Sequence, residues 1–105
     1  MSALLHQGSV LSHPFIIGEL ACGRIRNRDE ILSLLHALPQ AKTATDSEVL
    51  QLIQVHRLMG AGLGLVDVHL LASALLSSAP LWTSDRRLGA AARRLGVRYE
   101  PAKED

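Results

Sequence analysis

The sequence predicts an α/β sandwich: a small, mostly parallel sheet flanked by helices. Three observations predict it. Short apolar segments at 9–12, 81–83 and 97–99 read as strands, and stretches with clear helix starts and stops separate them. The 105 residues hold enough apolar material for one core and not for two, so residues 1–105 form a single domain with a polar tail over 100–105. Hydrophobic residues make up 48% and charged residues 20%, a globular composition and not a disordered one.

The elements follow in order. Leu4-Leu5-His6-Gln7-Gly8 reads as a helix end with a glycine stop. Ser9-Val10-Leu11-Ser12 is a brief strand. Pro14 suits the first turn of a helix running to about Gly23. Asn27 followed by Glu30 starts a helix that Pro39 ends after Leu38. Thr45 and Glu48 have capping-box spacing and open a helix to about Met59. Gly60, Gly62 and Gly64 form a loop. Val66–Leu76 is apolar almost all round and is read as a buried helix. Leu81-Trp82-Thr83 is a short strand, Arg86–Leu95 a basic helix stopped by Gly96, and Val97-Arg98-Tyr99 a last strand.

Composition excludes several classes. Phe15, Trp82 and Tyr99 are the only aromatic residues, too few for a nucleic-acid binder built on stacking platforms. Cys22 is the only cysteine, which excludes an internal disulfide and a cysteine-based zinc finger and suits a reducing compartment. No stretch is long and apolar enough to span a membrane, and no basic segment opens the chain as a signal peptide would, so the sequence reads as cytoplasmic. Net charge is +1, yet nine of the eleven basic residues are Arg, and Arg86, Arg87, Arg93, Arg94 and Arg98 lie in a run without an acid. Arginine grips phosphate in a fork, which allows a local nucleic-acid face; charge alone favours a solvated helix face.

Three carboxylates stand in apolar company: Glu19 in Phe15–Cys22, Asp67 at the start of the buried helix, and Asp85 after the strand 81–83. Each has a plain reading. Asp67 and Asp85 suit helix caps, and Glu19 suits an ion pair with an arginine. Taken together they lie near strand ends and helix starts, where an α/β fold gathers its loops. Convergent carboxylates without a cysteine cluster suit a hard cation, Mg²⁺ or Mn²⁺, which activates water at a phosphodiester. Arg86 and Arg87 would then hold the nucleic-acid backbone. Thr83 and Ser84 read either as caps or as hydroxyls touching a phosphate.

Other motifs are weaker. Gly60-Ala61-Gly62-Leu63-Gly64 has the wrong spacing for a dinucleotide fingerprint. The five histidines show no zinc pattern, and His69 reads as a core or surface residue. Cys22 with His13 would be a nucleophile pair without a third group; a buried structural cysteine is the simpler reading. The basic helix lacks the Asn and Gln that read base edges, against a DNA-binding helix pair.

The runs His13-Pro14-Phe15-Ile16-Ile17-Gly18-Glu19-Leu20, Gly64-Leu65-Val66-Asp67-Val68-His69-Leu70-Leu71-Ala72-Ser73-Ala74 and Leu81-Trp82-Thr83-Ser84-Asp85-Arg86-Arg87-Leu88 resemble the PIN-domain ribonucleases, specifically the VapC-type toxins of toxin–antitoxin modules. The resemblance covers nearly the whole chain. It implies a PIN-like α/β/α sandwich and an Mg²⁺-dependent endoribonuclease with Glu19, Asp67 and Asp85 as metal ligands. Thr83 matches a hydroxyl the family often carries two residues before its last acid. The pattern departs at the N-terminus. The family opens with a strand ending in Asp then Thr or Ser, whereas here no acid precedes Glu19. The resemblance thus implies an N-terminally truncated domain with an open sheet interior and one ligand fewer.

Two functions follow as expectations. One is a metal-dependent endoribonuclease toxin that hydrolyses RNA and is neutralised by a cognate antitoxin. The other is an inactive domain that binds an antitoxin or a second copy. Either is expected as a homodimer or a toxin–antitoxin hetero-oligomer.

Overall fold

A computed structural model describes residues 2–6 and 9–100. The elements are β1 (Ser2–His6), β2 (Ser9–Leu11), α1 (Pro14–Cys22), α2 (Arg28–Ala37), α3 (Asp46–His56), α4 (Leu65–Ser77), β3 (Leu81–Thr83) and α5 (Arg86–Arg94). The polar end 101–105 lies outside the described residues.

The sheet corrects the expectation in direction and in membership. Its order is β2-β1-β3, and both pairings are antiparallel. Leu4 sits opposite Leu11 on one side and Leu81 on the other. The stretch read as a helix end is therefore the central strand. The physical reason is the short connection between His6 and Ser9: successive strands so close in sequence pair as an antiparallel hairpin, whereas a parallel pair needs a long crossover. Among the described residues parallel pairing survives only as isolated bridges, Ser12 with Gln40 and Leu81 with Arg98. The last bridge is what remains of the strand expected at 97–99. Leu4 and Leu81, paired at the centre of the sheet, are both 0% exposed.

The helices form where local chemistry starts them. His13 caps α1, and Pro14 takes the first position, where a missing N–H costs nothing. Asn27 precedes α2 with a left-handed φ of 53° and no side-chain cap, so Asp29 and Glu30 in the first turn carry the favourable charge. Thr45 and Glu48 make a reciprocal capping box on α3, with Thr45 Oγ1 accepting the Glu48 N–H at 3.2 Å and Glu48 Oε1 accepting the Thr45 N–H at 2.9 Å. Helix α3 stops short of Met59 because Arg57 turns left-handed (φ 53°) and Leu58, 4% exposed, drops into the core.

Helix α4 is the axis of the core. Val68 through Ala74 are all buried, and Leu70, Leu71 and Ala74 join Leu4, Leu81, Leu88 and Ala92 in one apolar cluster. Each fully buried leucine contributes roughly 1.5–3 kcal/mol. Among the described residues no helix is long and apolar enough to cross a membrane.

Candidate functional site

The carboxylates are placed by the ends of α4 and α5. Asp67 lies in the first turn of α4, half-buried, and its Oδ2 accepts the Gly64 N–H at 3.0 Å. Asp85 is the N-cap of α5, and its Oδ1 accepts the Leu88 N–H at 2.9 Å. Each cap engages one oxygen of its carboxylate. The plain reading of both as caps is thus realised, and it leaves room for a second role. Glu19 stands exposed on α1.

The corner between β3 and α5 is tied by a hydroxyl. Thr83, 8% exposed, takes the Asp85 N–H on Oγ1 at 3.1 Å and shares a 2.9 Å hydrogen bond with Ser2 Oγ. Ser84 and Arg86 are exposed beside it. Arg87, in the first turn of α5, reaches across to the 60–64 loop: a methyl group placed on Gly62 would stand 2.7 Å from its Nη1. The loop that delivers Asp67 and the helix start that carries Asp85 are therefore neighbours. Among the described residues no three His, Cys, Asp or Glu side chains converge to hold a metal ion, so Glu19 does not complete a three-ligand group with the two aspartates.

Part of the basic run is engaged with other residues at the surface. Arg93 pairs with Glu100 at 3.3 Å, and an Arg94 N–H donates to the carbonyl of His56 at the end of α3. That places a cation at the negative end of a helix. The Arg98 guanidinium lies against Gly89, where an added methyl group would meet its Cζ at 3.4 Å. Arg86 and Arg87 are the two of the run in the first turn of α5, next to Asp85 in the chain.

A buried polar cluster was not singled out in the sequence. His13, 1% exposed, accepts the Phe15 N–H on Nδ1 at 3.0 Å. That acceptance requires the proton on Nε2, which donates to Ser73 Oγ at 2.9 Å and pins α1 to α4. Phe15 meets His69 edge-on at 4.8 Å between ring centres, and His69 Nε2 lies 4.0 Å from Asp46 Oδ1. Burial, and then the charge of His69, holds the His13 pKa below its ordinary value. The signal was the His-Pro pair at a helix start. Cys22 is exposed at the far end of α1, a helix of nine residues and so about 13 Å long, which rules out pairing with His13.

An open groove lies elsewhere on the surface. It measures about 270 Å³ between α3 and α4 and is lined by Leu52, Val55, Ala72, Leu75 and Leu76 together with Glu48 and His56.

Among curated proteins, the chain is similar to Ribonuclease VapC32 of Mycobacterium tuberculosis, strains CDC 1551 / Oshkosh and ATCC 25618 / H37Rv. Identity is 51% over 86 residues, covering 81% of this chain and 69% of the relative. No family model matches the chain. No solved structure matches it.

Proposed function

Since the chain belongs to the VapC-type ribonucleases, we propose that it is the toxin of a toxin–antitoxin pair and hydrolyses RNA phosphodiesters at the joined N-termini of α4 and α5. The observation that carries the reading is the meeting of the Gly62 loop with Arg87, which sets Asp67 and Asp85 at one end of the molecule. Two helix N-termini present partial positive charge there, and Arg86 adds a full one, so the end suits a phosphate. Asp67 and Asp85 supply the carboxylates that would orient or deprotonate an attacking water. Thr83 holds the Asp85 corner, and the neighbouring Ser84 would contact the phosphate.

Mg²⁺ or Mn²⁺ is the proposed cofactor on donor chemistry, since carboxylate oxygens suit a hard cation. Asp67 and Asp85 would hold it; among the described residues no third His, Cys, Asp or Glu side chain joins them. RNA cleavage by the chain with Mg²⁺, with Mn²⁺ and with EDTA tests both points, beside Asp67→Asn. Asparagine keeps an oxygen for the Gly64 N–H and loses the charge, so the fold should hold while cleavage drops on the order of 100-fold or more. Equal cleavage by the variant refutes the site, and equal cleavage in EDTA refutes the cofactor.

A second reading, an antitoxin-binding domain without catalysis, is favoured by the groove between α3 and α4. Val55, Leu75 and Leu76 are 63%, 40% and 38% exposed there, an apolar trough of the kind an amphipathic helix enters. Co-purification with a small partner, with no cleavage from the folded chain, would favour it.

A further inference from the structure

We propose that Arg87 is a positioning residue. It lies across Gly62 and straps the 60–64 loop, and with it the Gly64–Asp67 cap, to the first turn of α5. Its catalytic consequence rests on the ribonuclease reading; the strap itself does not.

The contact is close along the whole side chain. A methyl group on Gly62 would lie 2.7 Å from Arg87 Nη1, 2.8 Å from Cδ and 3.1 Å from Cζ. The stem and the planar head therefore both rest on the glycine backbone. Gly62 has φ +76°, a conformation that side chains rarely adopt, so the backbone itself calls for glycine there. Neighbouring Gly60 also has φ +76°. A loop with glycine at 60, 62 and 64 has much freedom to lose on ordering, and an unstrapped loop would let the N-terminus of α4 open. The Gly64 N–H bond to Asp67 is the first to go in that event. A flat guanidinium is the head group suited to this packing; the compact, strongly hydrated ammonium of lysine is not.

Among the described residues no carboxylate pairs with Arg87, so a phosphate contact is the competing role. The two roles separate in Arg87→Ala and Arg87→Lys of the full chain. Three quantities are measured: amide exchange at Gly64, the salt dependence of binding to a 2′-O-methyl single-stranded RNA, and kcat against KM for cleavage.

A strap predicts that both Arg87 variants speed exchange at Gly64 on the order of tenfold. It predicts an unchanged salt slope, and kcat lowered with KM kept. A phosphate contact predicts a slope smaller by about 0.7 in Arg87→Ala, wild-type behaviour in Arg87→Lys, and an unchanged Gly64 amide. That result overturns the proposal. So does a lowered Tm with exchange at Gly64, kcat and KM unaltered, since the residue would then only add stability. Should the wild-type chain itself not cleave RNA, the ribonuclease reading fails, and exchange at Gly64 still decides the strap.

Discussion

Replacing His13 with alanine should cost about 3 kcal/mol, and the structure says how the loss divides. The imidazole caps α1 through Nδ1, and loss of a side-chain cap costs about 1 kcal/mol. Its Nε2–H reaches the Ser73 hydroxyl in the interior, and stranding a buried polar partner costs roughly 1–3 kcal/mol. His13→Asn separates the two parts, because asparagine is a good cap and too short to reach Ser73. Urea unfolding at pH 7.5, followed by far-UV circular dichroism, should place Asn between wild type and Ala. The Ala variant should melt roughly 10–20 °C lower. The same residue predicts a pH dependence. A folded pKa below the ordinary 6.5 means that the unfolded chain takes the proton first. The stability His13 provides is thus complete above about pH 6.5 and is lost as pH falls from there toward the folded pKa. Protonated Nδ1 cannot accept the Phe15 N–H. His13→Asn should flatten that part of the profile. A cost under about 1 kcal/mol for alanine, or an asparagine variant no better than alanine, would refute the account of the cluster.

Other outcomes test the sheet and the caps. Leu4→Ala should destabilise the chain by about 2–5 kcal/mol in denaturant titration, because Leu4 is fully buried in the central strand; a helix end at that position would tolerate alanine. Thr45→Ala should cost about 1 kcal/mol by opening the capping box, with amide exchange at Glu48 speeding first. An unchanged midpoint would show that α3 is held by packing alone.

The helices were legible because their signals are local. Pro14, the Thr45–Glu48 box, the break before Pro39 and the turn at Gly96 each act within about four residues, and each marks a helix boundary in the structure. The acids Asp67 and Asp85 were legible for the same reason, since a carboxylate at a helix start announces itself. Residues 2–6 were not. Their strand character depends on pairing with Leu11 and Leu81, and no pattern within five residues specifies which strand lies alongside.

By itself the amino-acid sequence determined an α/β chain, the starts of most of its helices, the kinship with VapC-type ribonucleases and the three acids worth testing. Tertiary structure alone decided the antiparallel sheet, the burial of His13 against Ser73, and the fate of the arginines. Arg87 rests on Gly62, Arg94 binds the end of α3, and Arg98 covers Gly89. Each of those contacts joins residues on different elements. Charge along a sequence states how many cations there are, and only packing states which of them already have a partner.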